Sequence, residues 1–69
     1  MSERLANRLK EKRSDLGLTQ AELAASVGVT RKTVNTVENG VFVPSSLLAL
    51  KLARALGEPV EALFWISAE

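Results

Sequence analysis

The chain has 69 residues, 46% of them apolar, and a formal net charge of +1. These values allow one small folded domain and disfavour intrinsic disorder. The sequence has neither cysteine nor histidine, which excludes disulfides and thiolate metal sites and removes the commonest general base. No apolar run approaches the ~18 residues that span a bilayer, and the first residues lack the pattern of a signal peptide. We therefore expect a small cytoplasmic binding module that is not an enzyme and has no cofactor or metal.

The charges are distributed unevenly along the chain. Residues 1–32 carry seven basic and four acidic side chains, whereas residues 33–69 carry two basic and four acidic ones. A basic part joined to an acidic part indicates one surface for a polyanion and another surface for a different role. Two ordinary solvated surfaces would give the same numbers, so charge alone leaves both interpretations open.

The N-terminal segment predicts an amphipathic helix over residues 2–16. Leu5, Leu9 and Leu16 fall within about 40° of one another on a helical wheel of 100° per residue. Ser2 is the predicted N-cap of this helix. An alternation of apolar and polar residues is not sustained anywhere in the chain, so we expect no strands.

Four further helices are predicted by their start signals. A capping box that begins at Thr19 starts the second helix, and Thr30 caps the third. Ser45 or Ser46 begins a fourth helix, and Pro59 stands in the first turn of a short fifth one. The core face of the fourth helix is predicted to hold Leu48, Leu52, Ala55 and Leu56. Since the chain has no repeats or linkers, we expect all 69 residues to form one all-α domain of five helices.

The second and third predicted helices are joined by a very short connection. It consists of Gly28, Val29 and Thr30, which is the spacing of a helix-turn-helix over residues 20–40. Gly28 can adopt the positive φ of such a turn without steric cost, and Ala24 is small where the two helices must approach closely. The alternative is a plain helical hairpin with a glycine turn.

The third predicted helix has two chemically different faces. Val34 and Val37 lie on an apolar side that is suited to the core. The opposite side holds only cationic, amide and hydroxyl groups, which are the groups that hydrogen-bond to base edges, and it has no carboxylate. A face that is merely solvated would more often mix lysine with glutamate. The residues predicted to read bases are Thr30, Arg31, Lys32, Asn35 and Thr36.

The stretch LTQAELAASVGVTRKTVNTVENG, residues 18–40, resembles the Xre family of lambdoid repressor and Cro-type proteins. The likeness extends over residues 5–65. It implies a five-helix, lambda-repressor-like fold and sequence-specific DNA binding, usually as a dimer on a two-fold-symmetric operator. It also implies that Gln20 and Asn39 lie at the DNA backbone. We expect the backbone amides after Asn39, beginning with Val41, to contact phosphate as well.

The resemblance further implies an ion pair. Periodicity alone does not decide whether Lys12 or Arg13 turns inward from the first helix. Lambdoid repressors carry a semi-buried arginine at the place of Arg13, paired with the glutamate that precedes Asn-Gly, which here is Glu38. We therefore expect a salt bridge between Arg13 and Glu38 that ties the first helix to the recognition helix.

Several apolar residues fall outside the predicted core. Leu47 and Leu50 lie on the solvent side of the fourth helix. Trp65 and Ile66 belong to a tail, residues 65–69, that the pattern leaves open as helical, extended or frayed. We expect the four to form a patch for a second copy, which would place two recognition helices about 34 Å apart, one turn of B-DNA. Alternatively, Trp65 folds back onto the core of the monomer.

These observations predict a transcriptional regulator, a repressor that binds double-stranded DNA as a homodimer. Two alternatives stay open. One is an antitoxin-type protein that binds its own promoter and a toxin, and the other is a protein-interaction module that no longer binds DNA. The third-helix face without carboxylates disfavours the interaction module. Nothing in the sequence indicates a membrane partner or a small-molecule effector.

Overall fold

The computed structural model describes residues 2–68. Within this range the chain forms five helices and one two-stranded antiparallel sheet. In chain order the elements are β1 (Glu3–Asn7), α1 (Leu9–Asp15), α2 (Gln20–Val27), α3 (Arg31–Glu38), α4 (Ser46–Leu56), α5 (Val60–Leu63) and β2 (Phe64–Ala68). The five predicted helices are therefore present, but the expectation of an all-α chain is only roughly right because it omits the sheet.

The prediction of one helix over residues 2–16 is wrong at both ends. Its first part is the strand β1, and α1 begins only at Leu9. Ser2 lies before the strand and caps no helix; the first turn of α1 instead places the N–H of Leu9 3.0 Å from Oδ1 of Asn7. Leu16 lies after the helix and is exposed, so it does not extend the buried face begun by Leu9.

The strand β1 exists because it pairs with β2, at the other end of the chain. The register places Leu5 opposite Ile66 and Ala6 opposite Trp65. Since the pairing partner is some sixty residues away, the local helical period of the leucines could not reveal it. The tail that the sequence left open is therefore extended over residues 65–68, and Glu69 lies outside the described residues.

The helix starts follow local capping chemistry. The Thr19 hydroxyl accepts the N–H of Glu22 at 3.0 Å, and the Glu22 carboxylate accepts the N–H of Thr19 at 2.8 Å. The Thr30 and Ser45 hydroxyls each accept the N–H three residues further on, at 3.3 and 3.1 Å. Ser45 rather than Ser46 is thus the N-cap of α4, and Pro59 is the N-cap residue of α5 rather than part of its first turn.

The core lies where the helices and the first residue of β2 meet. Its members are Leu9, Leu23, Ala24, Val27, Val34, Val37, Leu52, Ala53, Leu56, Leu63 and Phe64. On α4 the prediction for Ala55 is wrong, because Ala55 is exposed and Ala53 is buried. The buried face of α4 is therefore rotated about the helix axis from the predicted one, and Leu48 is only half-buried.

The capping box gives a pH-dependent contribution to stability. Hydrogen bonds from Thr19, first from its backbone N–H and then from its side chain, lower the pKa of Glu22 below the usual value of a glutamate. A lowered pKa in the folded state means that the charged form stabilises the fold above the ordinary pKa, and that this contribution disappears as the pH falls through the folded pKa.

We expect the Glu22→Gln variant to be less stable than the parent at neutral pH and to approach the parent in stability as the medium becomes acid. Glutamine can still accept the hydrogen bond but carries no charge, so the comparison isolates the carboxylate. Urea unfolding of both proteins over a series of pH values measures the difference. A difference that stays constant from neutral to acid pH would contradict this assignment.

Candidate nucleic-acid interface

The turn between α2 and α3 has the geometry that the sequence predicts. Gly28 caps α2 at φ 74°, in the left-handed region, which a residue with a side chain adopts only with strain. The N–H of Val29 then donates to the carbonyl of Ala24 at 3.0 Å, and this closes the end of α2. Val29 packs against the core, and α3 begins two residues later. The chain therefore contains two short helices held by a fixed turn.

Helix α3 presents one face to the core and the other to solvent. Val34 and Val37 are only 1% and 2% exposed, whereas Arg31, Lys32 and Asn35 are exposed. The exposed face carries two cations and an amide, which suit guanine, adenine and phosphate. Four of the five residues predicted to read bases, these three and Thr30, are therefore exposed.

The two threonines of that prediction are engaged within the protein. The Thr30 hydroxyl caps α3 and lies 3.1 Å from the hydroxyl of Thr33. The half-buried Thr36 donates its hydroxyl hydrogen to the carbonyl of Thr33 at 3.0 Å. Both hydroxyls therefore support the helix, which leaves their methyl groups as the parts best suited to meet a base.

The carboxylate of Glu38, at the end of α3, joins three helices. Its Oε2 lies 2.6 Å from Nε of Arg13 on α1, and its Oε1 lies 3.3 Å from a second guanidinium nitrogen of Arg13. The Gln20 side chain, at the start of α2, donates to the same Oε1 at 3.0 Å. The structure therefore brings together the two residues expected to pair, and it adds Gln20 to them.

The ion pair is largely removed from water. The side chain of Glu38 is 2% exposed and that of Arg13 is 12% exposed. Arg13 also donates to the carbonyl of Leu18 at 2.7 Å, so its guanidinium fork is held by two partners. The hydrogen bond to Glu38 raises the pKa of Arg13, although burial acts in the opposite direction.

The residues expected at the DNA backbone differ in how free they are. Gln20 is half-buried and uses its amide nitrogen toward Glu38; that nitrogen carries two hydrogens. Asn39 is exposed and donates to Oδ1 of Asn35 at 3.3 Å, one helical turn earlier. The Val41 prediction is not supported, because its N–H donates to the carbonyl of Thr36 at 2.9 Å and so closes the end of α3.

The apolar residues predicted to face a second copy are exposed but do not share one surface. Leu47 is 64% and Leu50 57% exposed on α4, and Trp65 is 39% and Ile66 69% exposed on β2. Since neighbouring residues of a strand point to opposite faces, Trp65 and Ile66 cannot both join the leucines on one flat patch. Trp65 does not fold back into the core. The guanidinium carbon of Arg8 lies over its ring, at 4.9 Å from the ring centroid.

Other kinds of site receive no support in the part of the chain that the structure describes. Residues 2–68 contain no group of three or more acidic, cysteine or histidine side chains arranged to hold a metal ion. None of the helices described there has both the length and the apolar composition to cross a bilayer.

Sequence reasoning missed Asn7. Its side chain accepts the N–H of Leu9 at 3.0 Å and donates to the carbonyl of Val37 at 3.0 Å. Asparagine favours Asx turns, in which its side chain accepts the N–H two residues further on, and this signal could have indicated a break in the predicted helix before Leu9.

Comparison with known proteins agrees with this geometry. Residues 9–63 match the family model described as helix-turn-helix, HTH_3. Because this match covers most of the chain, the chain belongs to the helix-turn-helix family of the Xre type.

Individual relatives are similar over most of their length. The chain is 45% identical over 65 residues to a Bacillus subtilis (strain 168) protein named uncharacterized HTH-type transcriptional regulator YgzD, covering 94% of this chain and 98% of that protein. It is 53% identical over 57 residues to an HTH-type transcriptional regulator of Methanothermobacter thermautotrophicus, covering 81% and 83% of the two chains.

Solved structures share the fold. The restriction-modification controller protein C.AhdI from Aeromonas hydrophila is 40% identical with a TM-score of 0.76, over 80% of this chain and 83% of that one. A putative DNA-binding protein from Bacteroides fragilis superposes with a TM-score of 0.80 over 88% of this chain and 98% of that one. At 23% identity, this second likeness concerns the fold alone.

Removing either partner of the ion pair should destabilise the fold strongly. Arg13→Ala leaves a buried carboxylate without its cation, and we expect each single alanine variant to lose about 3–5 kcal/mol of unfolding free energy. The Arg13→Ala, Glu38→Ala double variant should lose less than the sum, as measured by urea unfolding of all four proteins. Arg54→Ala, an exposed arginine on α4, is the control and should change stability by less than about 0.5 kcal/mol. Additive single effects would show that the pair is not coupled.

Proposed function

We propose that this protein is a transcriptional regulator that recognises a specific DNA sequence with the exposed face of α3. The observation that carries the proposal is the division of this helix. Val34 and Val37 fix one side in the core, and Arg31, Lys32 and Asn35 stand on the other side. The N-terminal part of a recognition helix enters the major groove, where arginine and lysine bind guanine and asparagine binds adenine.

The electrostatics of α3 support the same proposal. Glu38 is the only acidic residue of this helix, and its carboxylate points inward to Arg13. The exposed face therefore carries the charges of Arg31 and Lys32 without a carboxylate that would repel phosphate. Gln20 and Asn39 lie at the start of α2 and just after α3, and they are our candidates for contacts with the DNA backbone.

The likenesses to named proteins support regulation as the purpose of DNA binding. The curated relatives are named HTH-type transcriptional regulators, and the similar solved structure is a controller protein. We propose repression as the mode of action, because occupying an operator is by itself enough to keep other proteins from it.

We further propose that the protein acts as a homodimer on a two-fold-symmetric operator. Leu47 and Leu50 are three residues apart on α4 and more than half exposed, which gives an apolar stripe that a second copy can cover. Trp65 and Ile66, which are exposed on opposite faces of β2, are further candidates for this interface. A two-fold axis at this surface would place two recognition helices about 34 Å apart, the distance of one turn of B-DNA.

Base reading and backbone contact should respond differently to mutation. We expect Arg31→Ala to weaken operator binding by about 1–3 kcal/mol and to relax the preference at one or two base pairs. Gln20→Ala should weaken binding to all sequences more evenly, because phosphate contacts carry no direct sequence information. The operator is identified by selection from random DNA and by mobility shifts with DNA upstream of the gene. Affinities for it are then measured at one fixed salt concentration.

Arg54→Ala is the matched control, since it removes an exposed arginine from α4 rather than from α3. Operator affinity that is unchanged in Arg31→Ala, together with altered base preference in Gln20→Ala, would contradict the orientation proposed here. If the parent protein selects no DNA sequence at all, the interaction-module alternative is favoured instead.

The dimer should depend on the leucine stripe of α4. We expect sedimentation at micromolar concentration to give twice the monomer mass for the parent and the monomer mass for Leu47→Glu and Leu50→Glu, because a buried carboxylate at the interface is costly. Leu16→Glu is the control, as it places the same charge on another exposed leucine. Trp65→Ala and Ile66→Ala show which face of the sheet takes part. A parent protein that sediments as a monomer would rule out this interface.

A further inference from the structure

The side chain of Asn7 connects two parts of the molecule that carry different functions. Its Oδ1 accepts the N–H of Leu9 at 3.0 Å, and its Nδ2 donates to the carbonyl of Val37 at 3.0 Å. The first bond spans two residues, as in an Asx turn, and gives the N–H of Leu9, the first residue of α1, a partner. The second bond reaches 30 residues along the chain to the last turn of the helix that we propose reads DNA.

The carbonyl of Val37 is one of the groups that a helix cannot satisfy by itself. The last four carbonyls of an α-helix have no partner within the helix, so they need other donors. The N–H of Gly40 donates to the Val37 carbonyl at 3.1 Å, and the Asn7 amide is its second donor. The two bonds together hold the end of α3 at the point where a helix otherwise frays.

The Asn7 bond lies between two surface clefts. A cleft of about 480 Å³ lies on one side, between Asn7, Lys10, Ser14 and Glu38. A second cleft of about 160 Å³ lies on the other side, between β1 and the Asn39 end of α3. Between these clefts, the bond adds a fixed distance to the apolar contacts of Leu9 and Val37 in the core below.

The other end of the connection is fixed by the sheet. Asn7 pairs with Phe64, the first residue of β2, and the N–H of Arg8 donates to the carbonyl of Leu63 at 3.0 Å. Leu63 and Phe64 both belong to the core. The backbone of Asn7 is therefore held by strand pairing to residues of the core.

We infer that Asn7 is a positioning residue for DNA reading: it holds the C-terminal turn of α3 at a fixed distance from β1 and so sets the angle of the recognition helix. This inference rests on the DNA-binding function proposed above. An eight-residue helix is about 12 Å long, so a tilt of roughly 5° at its C-terminal end moves the N-terminal end by about 1 Å. Binding groups must be held to within about 0.5 Å, so Arg31 would then be misplaced.

The residue type itself supports this role. Serine, threonine, aspartate and asparagine all offer a side-chain acceptor for the N–H two residues further on. Among these, only asparagine offers both an acceptor for the N–H of Leu9 and an amide donor long enough to reach the Val37 carbonyl. The bond from Leu9 uses the side-chain oxygen of Asn7, and the bond to Val37 uses its side-chain nitrogen, so both ends of the amide have a partner.

Two variants separate the bond to Val37 from the bond to Leu9. Asn7→Ser keeps an acceptor for the N–H of Leu9 but is too short to reach Val37. Asn7→Asp keeps the size and the acceptor but has no donor when ionised, and it serves as the second variant if the first folds poorly. Ser45→Ala is the matched control, because it removes a cap from α4 and leaves the junction of β1 with α3 unchanged.

We expect Asn7→Ser to bind the selected operator about three- to tenfold more weakly and to bind unrelated DNA as the parent does. This range is the free energy of one intramolecular hydrogen bond, which is the most that the bond can contribute to holding α3 in the orientation that binds the operator. The ratio of the two affinities is the readout, since a merely destabilised but folded protein keeps it. Ser45→Ala should therefore keep the ratio. An unchanged ratio in both Asn7 variants, or an equal fall in Ser45→Ala, would overturn the inference.

Hydrogen exchange in the free protein tests the same connection without DNA. The amides of Gly40 and Val41 donate to carbonyls in the last turn of α3, so Asn7→Ser should speed their exchange more than that of Val29 in the preceding turn. The fluorescence of Trp65, the only tryptophan, should stay unchanged and so show that the sheet is intact. Unchanged exchange at Gly40 and Val41 overturns the connection, even if the parent binds its operator.

The two readouts separate this inference from the proposed function. If the parent selects no DNA sequence, the proposed function fails and the positioning role fails with it, whatever the exchange rates show. If the parent selects an operator but the Asn7 variants change neither the affinity ratio nor the exchange rates, the proposed function stands and the inference is overturned.

Discussion

The buried carboxylate of Glu38 is the constraint on which the arrangement of the first three helices depends. Taking a charge out of water costs several kcal/mol unless hydrogen bonds and an opposite charge compensate for it. Here Arg13 supplies the charge with two nitrogen donors, and Gln20 supplies a third hydrogen bond. Arg13 lies on α1 and Gln20 on α2, so the free-energy cost of leaving the carboxylate unpaired keeps α1, α2 and α3 in place relative to one another.

The same constraint shapes the surface that is proposed to meet DNA. Because Glu38 turns inward, the negative charge of α3 is neutralised by Arg13 and does not oppose Arg31 and Lys32. Because Gln20 is held by Glu38, the start of α2 is fixed relative to the end of α3. A single buried group thereby leaves the exposed face of α3 without a negative charge and fixes the position of Gln20, a candidate for contact with the DNA backbone.

Local signals predicted the middle of the chain well. The capping box at Thr19, the glycine turn at Gly28 and the cap at Thr30 each depend on neighbouring residues only, so the sequence carries them directly. The buried face of α3 followed from the spacing of Val34 and Val37 in the same way.

What could not be predicted depends on contacts between distant residues. The pairing of β1 with β2 joins the two ends of the described chain, and its five-residue strands show no alternation strong enough to outweigh the helical spacing of Leu5 and Leu9. In the candidate site, the sequence placed Arg31, Lys32 and Asn35 on the exposed side of α3, and the structure agrees with that placement. The sequence could not show that the Thr36 hydroxyl and the Val41 amide already have partners within the protein.

The ion pair shows the limit of periodicity in another way. The helical wheel did not decide between Lys12 and Arg13, and the resemblance to lambdoid repressors alone favoured Arg13. The structure gives the physical reason for arginine at this place. Its planar fork donates to Glu38 through two nitrogens and to the carbonyl of Leu18 through a third, whereas the ammonium of lysine is a single point charge.

The residues of helix α3 that hold it in the fold are different from those proposed to contact DNA. Val34, Val37 and Glu38 fix it to the rest of the fold, and changes there affect stability first. Arg31 and Lys32 stand in solvent, where substitutions usually change stability by less than about 0.5 kcal/mol. Because the buried residues and the exposed residues of α3 are different ones, the exposed residues can be replaced while the fold stays the same. This separation is compatible with a fold shared between this chain and a protein that is only 23% identical to it.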